Sequence, residues 1–428
     1  MSRSLLAIHG GPKAVTMDPG DMFKWPIVTK EDERAVLDVL RTGRMSGLDV
    51  TTEFEKEFAE WHGVAYALAH NTGTAALHAA MFGCGLGVGD EIIAPSLTYW
   101  ASCLQAFSLG ATIVFADVRP DTICIDPADI EHRITDRTKA VMVVHYCGMP
   151  CDMDPILAIT RRHGLKLIED VSHAHGGLYK GRLLGTLGDV AGFSLMSGKS
   201  LPCGEGGILI TSNRDIYLRA VAFGHYERTR EVLAGTRLER FAGLPMGGCK
   251  YRMHQLTSAL GRGQLRHYRE RMTKIQKALN CFWDLLEETP GLQAHRTPKG
   301  SGSTMAGWYN PLGLYVAEEL DGLPIDAYLE AVRAEGVTTS RGANFPLHLH
   351  PLLNECDVYG HGKPTRIAHS ARDVRQGPGS LPVSEALQER VFGVPYFKKH
   401  RPKVIAEYAE AFRKVALNAT ELRSSAAS

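Results

Sequence analysis

A single lysine, Lys199, lies between a short apolar run and a glycine-rich stretch in FSLMSGKSLPCGEGG, residues 193–207. A lysine amine held in an apolar pocket has a lowered pKa and becomes nucleophilic, which suits a covalent Schiff-base link to a carbonyl group. Most lysines are instead solvated surface charges. The choice between the two depends on which other reactive groups the fold brings to the same place.

A possible phosphate site precedes this lysine. Thr72, Gly73 and Thr74 follow the apolar segment AYALAH and precede a helical pattern over 74–83. A glycine lets the backbone come close to a ligand, a hydroxyl can donate to it, and a helix N-terminus offers free N–H groups. Capping of the helix without any ligand is the alternative interpretation.

A carboxylate motif lies between these two, in LKLIEDVSHAHGG, residues 165–177. Glu169 and Asp170 end an apolar strand and so place a carboxylate at the carboxyl edge of a sheet, where ligands bind in open α/β folds. A buried charge needs a partner, so a structural ion pair is the alternative. His173 could flank a ligand ring and His175 could support Asp170, or both could be packing histidines.

The elements that must position these residues follow an alternating β-α pattern, which predicts an open and mainly parallel sheet covered on both faces. Helices are expected at 74–83 and 152–163, and one long helix from 254 to about 288. A large domain over 1–275 and a smaller one over 276–428 are predicted from the change of pattern and the chain length. The predicted strands are 65–70, 90–99, 111–118, 140–146, 165–171, 191–196 and 206–211.

A phosphate cradle, a strand-end carboxylate and a later strand-end lysine are together the parts needed to hold pyridoxal phosphate. In these motifs the sequence resembles the pyridoxal phosphate-dependent sugar aminotransferases of the DegT/StrS group, which have fold type I. The resemblance covers nearly the whole chain. It is carried by GGPKAV, FEKEFAEWHGV, GDEIIAPSLTYWAS, GATIVFADV, IEDVSHAHGG, GEGG and KYRMHQLTSALGRGQL.

The resemblance implies a three-layer α/β sandwich with a smaller C-terminal α/β domain. It implies that Lys199 bonds covalently to the cofactor and that Asp170 pairs with its protonated pyridine nitrogen. Many relatives carry asparagine at the position of Lys250 and use it to reach the phosphate of the neighbouring subunit, so a homodimer with shared active sites is expected. The expected cofactor-binding residues are Thr72, Gly73, Thr74, Tyr99, Asp170, His173, Ser194, Lys199 and Lys250.

The implied reaction moves an amino group from glutamate or glutamine to a keto sugar or keto cyclitol, in amino-sugar or antibiotic biosynthesis. SGKSLPCGEGG is closer to the branch that handles cyclitols or aminohydroxybenzoate precursors. A sugar dehydratase of the same family would carry histidine in place of Lys199, and a non-catalytic regulator would have lost Lys199 or Asp170. A generic dinucleotide-binding protein would show G-x-G-x-x-G after the first strand, which this chain lacks.

The composition of the chain limits the kinds of partner that it is expected to bind. The 428 residues include 48 Lys plus Arg against 47 Asp plus Glu, so no bulk charge favours nucleic acid. Nine cysteines and no secretory leader or 20-residue apolar span predict free thiols in a cytoplasmic protein without membrane contact. Cys147 and Cys151 lack a second ligand pair downstream, so no metal site is expected. The polar segment 360–380 is expected to be a loop, either a plain surface loop or a substrate lid.

Overall fold

The central feature of the structure, a computed structural model that describes residues 5–426, is a seven-stranded sheet. In chain order its strands are β1 (Tyr66–His70), β2 (Glu91–Pro95), β3 (Thr112–Ala116), β4 (Thr138–Val144), β5 (Lys166–Asp170), β8 (Val190–Ser194) and β9 (Gly207–Thr211). They lie in the order β1-β9-β8-β5-β4-β2-β3, and only β9 runs antiparallel to its neighbours. The seven strands confirm the seven predicted from apolar runs. Strands β6 (Leu178–Tyr179) and β7 (Arg182–Leu183) form a separate short hairpin.

Helices cover both faces of this sheet, which explains why its strands are apolar almost throughout. The predicted helices at 74–83, 152–163 and 254–288 are confirmed within a few residues at their ends. The helices are α1 (Lys30–Thr42), α2 (Asp49–His62), α3 (Gly73–Gly83), α4 (Pro127–Arg133), α5 (Met153–His163), α6 (Arg214–Gly224), α7 (Thr229–Val232), α8 (Gln255–Leu285), α9 (Ile325–Ala334), α10 (Pro351–Asn354), α11 (Pro382–Ala386), α12 (Pro402–Leu417) and α13 (Ala419–Ala426).

The C-terminal part builds a second, smaller sheet. Its antiparallel strands are β10 (Leu292–Ala294), β11 (Leu312–Tyr315) and β12 (Val391–Gly393), in that order. Helix α12 packs against both α8 and α9 and so ties this part to the large sheet. Helix α8 runs without a break across residue 275. The division of the chain at that residue stays a prediction.

The strand pairing explains how distant motifs meet at one edge. Gly207, the first residue of β9, pairs with His70 at the end of β1 on one side and with Ser194 at the end of β8 on the other. A Cβ atom on Gly207 would lie 2.3 Å from the carbonyl oxygen of Thr72. The absence of a side chain there lets the segment after β1 fold tightly over the end of β8.

The segment 360–380 is irregular apart from the short 3-10 helix Thr365–Ile367, as expected for a loop. Arg366 donates from Nε to the carbonyl oxygen of Ile113 at 3.3 Å, and Gln376 donates from Nε2 to that of Phe115 at 3.0 Å. Both carbonyls belong to the edge strand β3, so the loop covers backbone groups that would otherwise be unpaired. None of its residues lines the cavity described below.

Across residues 5–426, the structure contains no helix with the length and apolar character needed to span a bilayer.

Candidate active site

A cavity of about 420 Å³ opens at the carboxyl edge of the large sheet. The predicted cofactor residues line it, with the exception of Lys250, which lies on the exposed surface of its own chain. The structure thus brings together motifs that are separated by more than one hundred residues in the sequence. Those that line the cavity are Thr72, Gly73, Thr74, Tyr99, Asp170, His173, Ser194 and Lys199.

Lys199 follows β8 and is 8% exposed. Burial lowers the pKa of its amine to about 8, against the opposing attraction of the nearby Asp170 carboxylate. The Lys199 backbone is fixed from outside this segment, because the indole Nε1 of Trp25 donates to its carbonyl oxygen at 2.9 Å. An amine with this pKa is partly neutral near neutral pH and can act as a nucleophile or a proton carrier.

Asp170 ends β5 with its carboxylate anchored and directed into the cavity. One oxygen, Oδ2, accepts from the Ser102 hydroxyl at 2.7 Å, and Oδ1 accepts from the Ser172 N–H at 3.0 Å. Each oxygen keeps a lone pair for a further donor. The carboxylate is therefore suited to hold a protonated ring nitrogen.

The neighbouring Glu169 has a different role. It is fully buried and faces the other side of the strand, where it accepts from the N–H groups of Gly185, Leu187 and Gly188 and lies 3.1 Å from His145 Nε2. These contacts organise the segment between β7 and β8. The structural interpretation considered for this motif therefore describes Glu169, and the role of Asp170 toward a ligand stays a prediction.

The N-terminus of α3 forms the other end of the cavity. The hydroxyl of Thr72 caps the helix by accepting from the Ala75 N–H at 3.0 Å, while the first N–H groups of α3 have no partner within the helix. A Cβ atom on Gly73 would lie 2.7 Å from Cα of Ser194. This close approach places the Ser194 hydroxyl beside the helix N-terminus, which suits an anionic group such as a phosphate.

His173 and His175 occupy different surroundings. His173 accepts the Cys147 N–H on Nδ1 at 3.3 Å, so its proton lies on Nε2. Burial holds the pKa of His173 well below the usual range, and the ring is neutral. The suggested support of Asp170 by His175 is wrong: Nδ1 of His175 lies 3.4 Å from the Ser200 hydroxyl, and Ser102 and Ser172 hold Asp170 instead.

Two aromatic side chains form one wall of the cavity. Tyr99 and Trp100 have ring centroids 5.2 Å apart, and both rings are about half exposed. Tyr99 lies in the segment that follows β2, at the carboxyl edge of the sheet. A flat ring bound in the cavity could stack on it.

Several lining residues were missed by sequence reasoning. Ser102 and Ser172 stand close to Tyr99 and Asp170 in the sequence, and their spacing from those residues was the available signal. Tyr309, Asn310 and Asn344 reach the cavity from the C-terminal part, and no motif connects them to it.

Cys147 and Cys151 do not face one another across a shared site. The Cys147 thiol lines the cavity, 3.9 Å from Asn310 Nδ2, whereas Cys151 donates from Sγ to the Val144 carbonyl oxygen. Burial raises the pKa of the Cys147 thiol to about 12, so it is protonated. Within residues 5–426, no cluster of three metal-ligating side chains is present.

The site therefore combines an anion cradle, a carboxylate that can hold a ring nitrogen, a neutral histidine donor and a buried amine. This combination is typical of an α/β enzyme that can bond the carbonyl group of a substrate or cofactor to a lysine.

Comparisons with known proteins narrow the class. The sequence profile of the DegT/DnrJ/EryC1/StrS aminotransferase family matches residues 26–394. The L-glutamine:scyllo-inosose aminotransferase of Streptomyces griseus is 34% identical over 435 residues, covering 98% of this chain and 99% of the relative. The GDP-perosamine synthase of Caulobacter vibrioides is 41% identical over 337 residues, covering 75% and 86%. The aminotransferase of Psychrobacter cryohalolentis has a similar solved structure, with TM-score 0.79, 28% identity, and coverage of 93% of this chain and 99% of that one.

The chain belongs to the DegT/DnrJ/EryC1/StrS aminotransferase family. It is an aminotransferase with the fold of type I aminotransferases, as the resemblance of its motifs implied.

Proposed function

We propose that this aminotransferase uses pyridoxal phosphate to move the amino group of L-glutamine to a keto cyclitol. The observation that carries the proposal is the near end-to-end similarity to a glutamine-dependent scyllo-inosose aminotransferase, which covers 98% of this chain. The GDP-perosamine synthase has a higher sequence identity to this chain, 41% against 34%, but its match covers only 75% of the chain.

The residues present fit the cofactor. The spare lone pairs of Asp170 suit its ring nitrogen, the N-terminus of α3 with Ser194 suits its phosphate, and Nε2 of His173 can donate to its hydroxyl. No side chain fits at position 73, because a Cβ atom there would collide with Ser194. A ligand can therefore approach the backbone of the cradle at this glycine. Lys199 would then carry the covalent link, as its buried amine suggests.

When bound, pyridoxal phosphate draws electrons from the carbon attached to the amino group and so makes its proton transferable. Asp170 would keep a proton on the ring nitrogen by its negative charge. Lys199 Nζ, once free of its covalent link, would take the proton from the donor carbon. The same nitrogen would then deliver that proton to the cofactor carbon. A pKa of about 8 suits this role, because a proton carrier works best when its pKa is near the working pH.

Product analysis tests the proposed reaction. The enzyme is incubated with pyridoxal phosphate, L-glutamine or L-glutamate, and either scyllo-inosose or a nucleotide-linked keto sugar. We expect the aminated cyclitol by mass spectrometry, with glutamine the better donor. Amination of the nucleotide-linked sugar alone would refute the proposed acceptor, and equal or better use of glutamate would refute the proposed donor.

We also propose a homodimer in which Lys250 serves the active site of the partner. Next to Lys250, the Tyr251 carbonyl oxygen accepts from the Asn71 N–H at 2.7 Å, so this exposed lysine is held close to the segment that carries the phosphate cradle. Large apolar side chains are exposed nearby in the sequence, at Phe241 and Leu244, and also at Trp100 on the cavity wall. Such exposure is typical of a surface that a second subunit covers.

Mixed dimers test the shared site. Lys250→Ala and Lys199→Ala subunits are each expected to be nearly inactive, whereas a mixture after subunit exchange should regain up to about a quarter of native activity. The reason is that half the dimers are mixed, and one of their two sites keeps both lysines. Activity no higher than that of the parents, after exchange has been verified by differently tagged subunits, would show that Lys250 does not act across the interface.

A further inference from the structure

The loop formed by residues 305–311, here called the 305–311 loop, has an unusual backbone. Ala306, Trp308 and Asn310 have positive φ values of 47°, 45° and 50°, although none is a glycine. The left-handed region is unfavourable for residues with a Cβ atom and persists only where the surroundings impose it. The repeated pattern turns the chain sharply and sends the side chains of Tyr309 and Asn310 into the active-site cavity.

Contacts on the outer side impose this shape. The Tyr396 hydroxyl donates to the carbonyl oxygen of Gly307. A Cβ atom on Gly307 would lie 2.3 Å from the Tyr268 hydroxyl and 2.4 Å from Cβ of Ser200, the residue after Lys199. Trp308 is fully buried beside it. The loop is therefore locked directly against the segment that carries the reactive lysine.

The inner side of the loop contacts the lysine amine itself. Nζ of Lys199 lies 3.9 Å from the centroid of the Tyr309 ring. The ring also packs on His173, with centroids 4.6 Å apart, and the Tyr309 N–H points at the His173 carbonyl oxygen at 3.4 Å. The two groups whose charges act on the amine have other partners: Asp170 accepts from Ser102 and Ser172, and the Cys147 sulfur accepts from Asn310. The aromatic face is thus the direct contact of the amine.

We propose that Tyr309 is a positioning residue whose ring receives the Lys199 ammonium through a cation–π contact whenever the amine is free. The face of an aromatic ring carries negative electrostatic potential and attracts a cation. Unlike a carboxylate, it cannot take the proton. The ammonium would thus be held in one place by a group that leaves its proton on the nitrogen. The role rests on the proposed function only in assuming that Lys199 is the reactive amine.

The other titratable groups near the amine do not replace the Tyr309 ring as the contact of the ammonium. Burial lowers the pKa values of both neighbouring histidines and raises that of the Cys147 thiol, so these groups are neutral. Asp170 attracts the ammonium through space, but Ser102 and Ser172 fix its carboxylate and no ion pair joins it to Nζ. The titratable groups that face the site are Tyr99, Cys147, Asp170, His173, His175, Glu205 and Tyr309.

A fluorination series isolates the ring's electrostatic effect. Tyr309→Phe and the corresponding mono-, di- and trifluorophenylalanines keep the ring's shape, but each fluorine weakens its negative face. In the full-length protein stripped of cofactor, labelling with acetic anhydride across a pH series gives the pKa of each lysine by mass spectrometry. We expect the pKa of Lys199 to fall stepwise, by about one pH unit over the series, because the ammonium loses its stabilisation.

The exposed Lys139 serves as the internal reference, and its pKa should not change. Thermal melting of each variant shows whether the fold is retained. A Lys199 pKa that stays constant from phenylalanine to trifluorophenylalanine would overturn the proposal. The measurement needs neither cofactor nor substrate, so its outcome is independent of whether the enzyme aminates a cyclitol.

Discussion

Replacing Lys199 with alanine should lower amino transfer by more than about 10⁴-fold, because both the covalent link and the proton carrier are lost. The visible absorbance that the bound cofactor gives with the native protein should disappear as well. In the native enzyme, borohydride reduction should fix the cofactor to the peptide that contains residue 199. Enzyme assay, absorbance and peptide mass spectrometry measure the three effects separately.

Lys166→Ala provides the matched control. Lys166 lies in β5 and forms an ion pair with Asp189 at 2.8 Å, and it does not line the cavity. Its removal should leave both the activity and the borohydride product unchanged. Recovery of the reduced cofactor on any lysine other than Lys199 would contradict the assignment of the reactive amine.

The large sheet could be predicted because its strands are encoded locally. Segments such as AVMVVHY and GGILIT are apolar and β-branched, and the periodicity of each is visible within a few residues. The parallel order then places the ends of β1, β5 and β8 at one edge. This is why Thr72, Asp170 and Lys199 could be assigned to one site before any contact was known.

The C-terminal contribution could not be predicted in the same way. Tyr309 reaches Lys199 only because the 305–311 loop adopts left-handed conformations at three residues with side chains, and the contacts that impose them come from α8 and from Tyr396. No local sequence pattern predicts such a loop, because the segment PKGSGSTMAG, residues 298–307, is typical of a flexible turn. Tertiary packing has overridden local preference there.

The anchoring of Asp170 shows a similar limit at shorter range. The carboxylate was expected from the strand end, but whether Glu169 or Asp170 faces the cavity depends on the alternation of the strand and on the groups beyond it. Glu169 meets three backbone N–H groups, whereas Asp170 meets Ser102, which lies 68 residues earlier. The division of roles between adjacent carboxylates is thus a tertiary property.

Asp170→Asn should lower amino transfer by at least about 10³-fold, because a fixed negative charge beside the cofactor ring nitrogen is lost in a buried site. The fold should be retained. The Ser172 N–H can still donate to the amide oxygen, and the Ser102 hydroxyl can rotate to accept from the amide nitrogen and donate to Thr98, whose Oγ1 lies 2.9 Å away. Steady-state kinetics and thermal melting measure the two effects.

Ser102→Ala separates charge from hydrogen bonding at the same carboxylate. This variant removes the donor at 2.7 Å from Oδ2 but keeps the negative charge, so its activity should fall by no more than about 100-fold, the worth of one hydrogen bond to a charged group. If Asp170→Asn and Ser102→Ala were equally impaired, the carboxylate would act by shape and hydrogen bonding rather than by charge. If Asp170→Asn kept near-native turnover, Asp170 would be a strand-end cap with no part in catalysis. The expected large gap between the two variants follows because an amide cannot keep the ring nitrogen protonated, whereas a carboxylate short of one hydrogen bond still can.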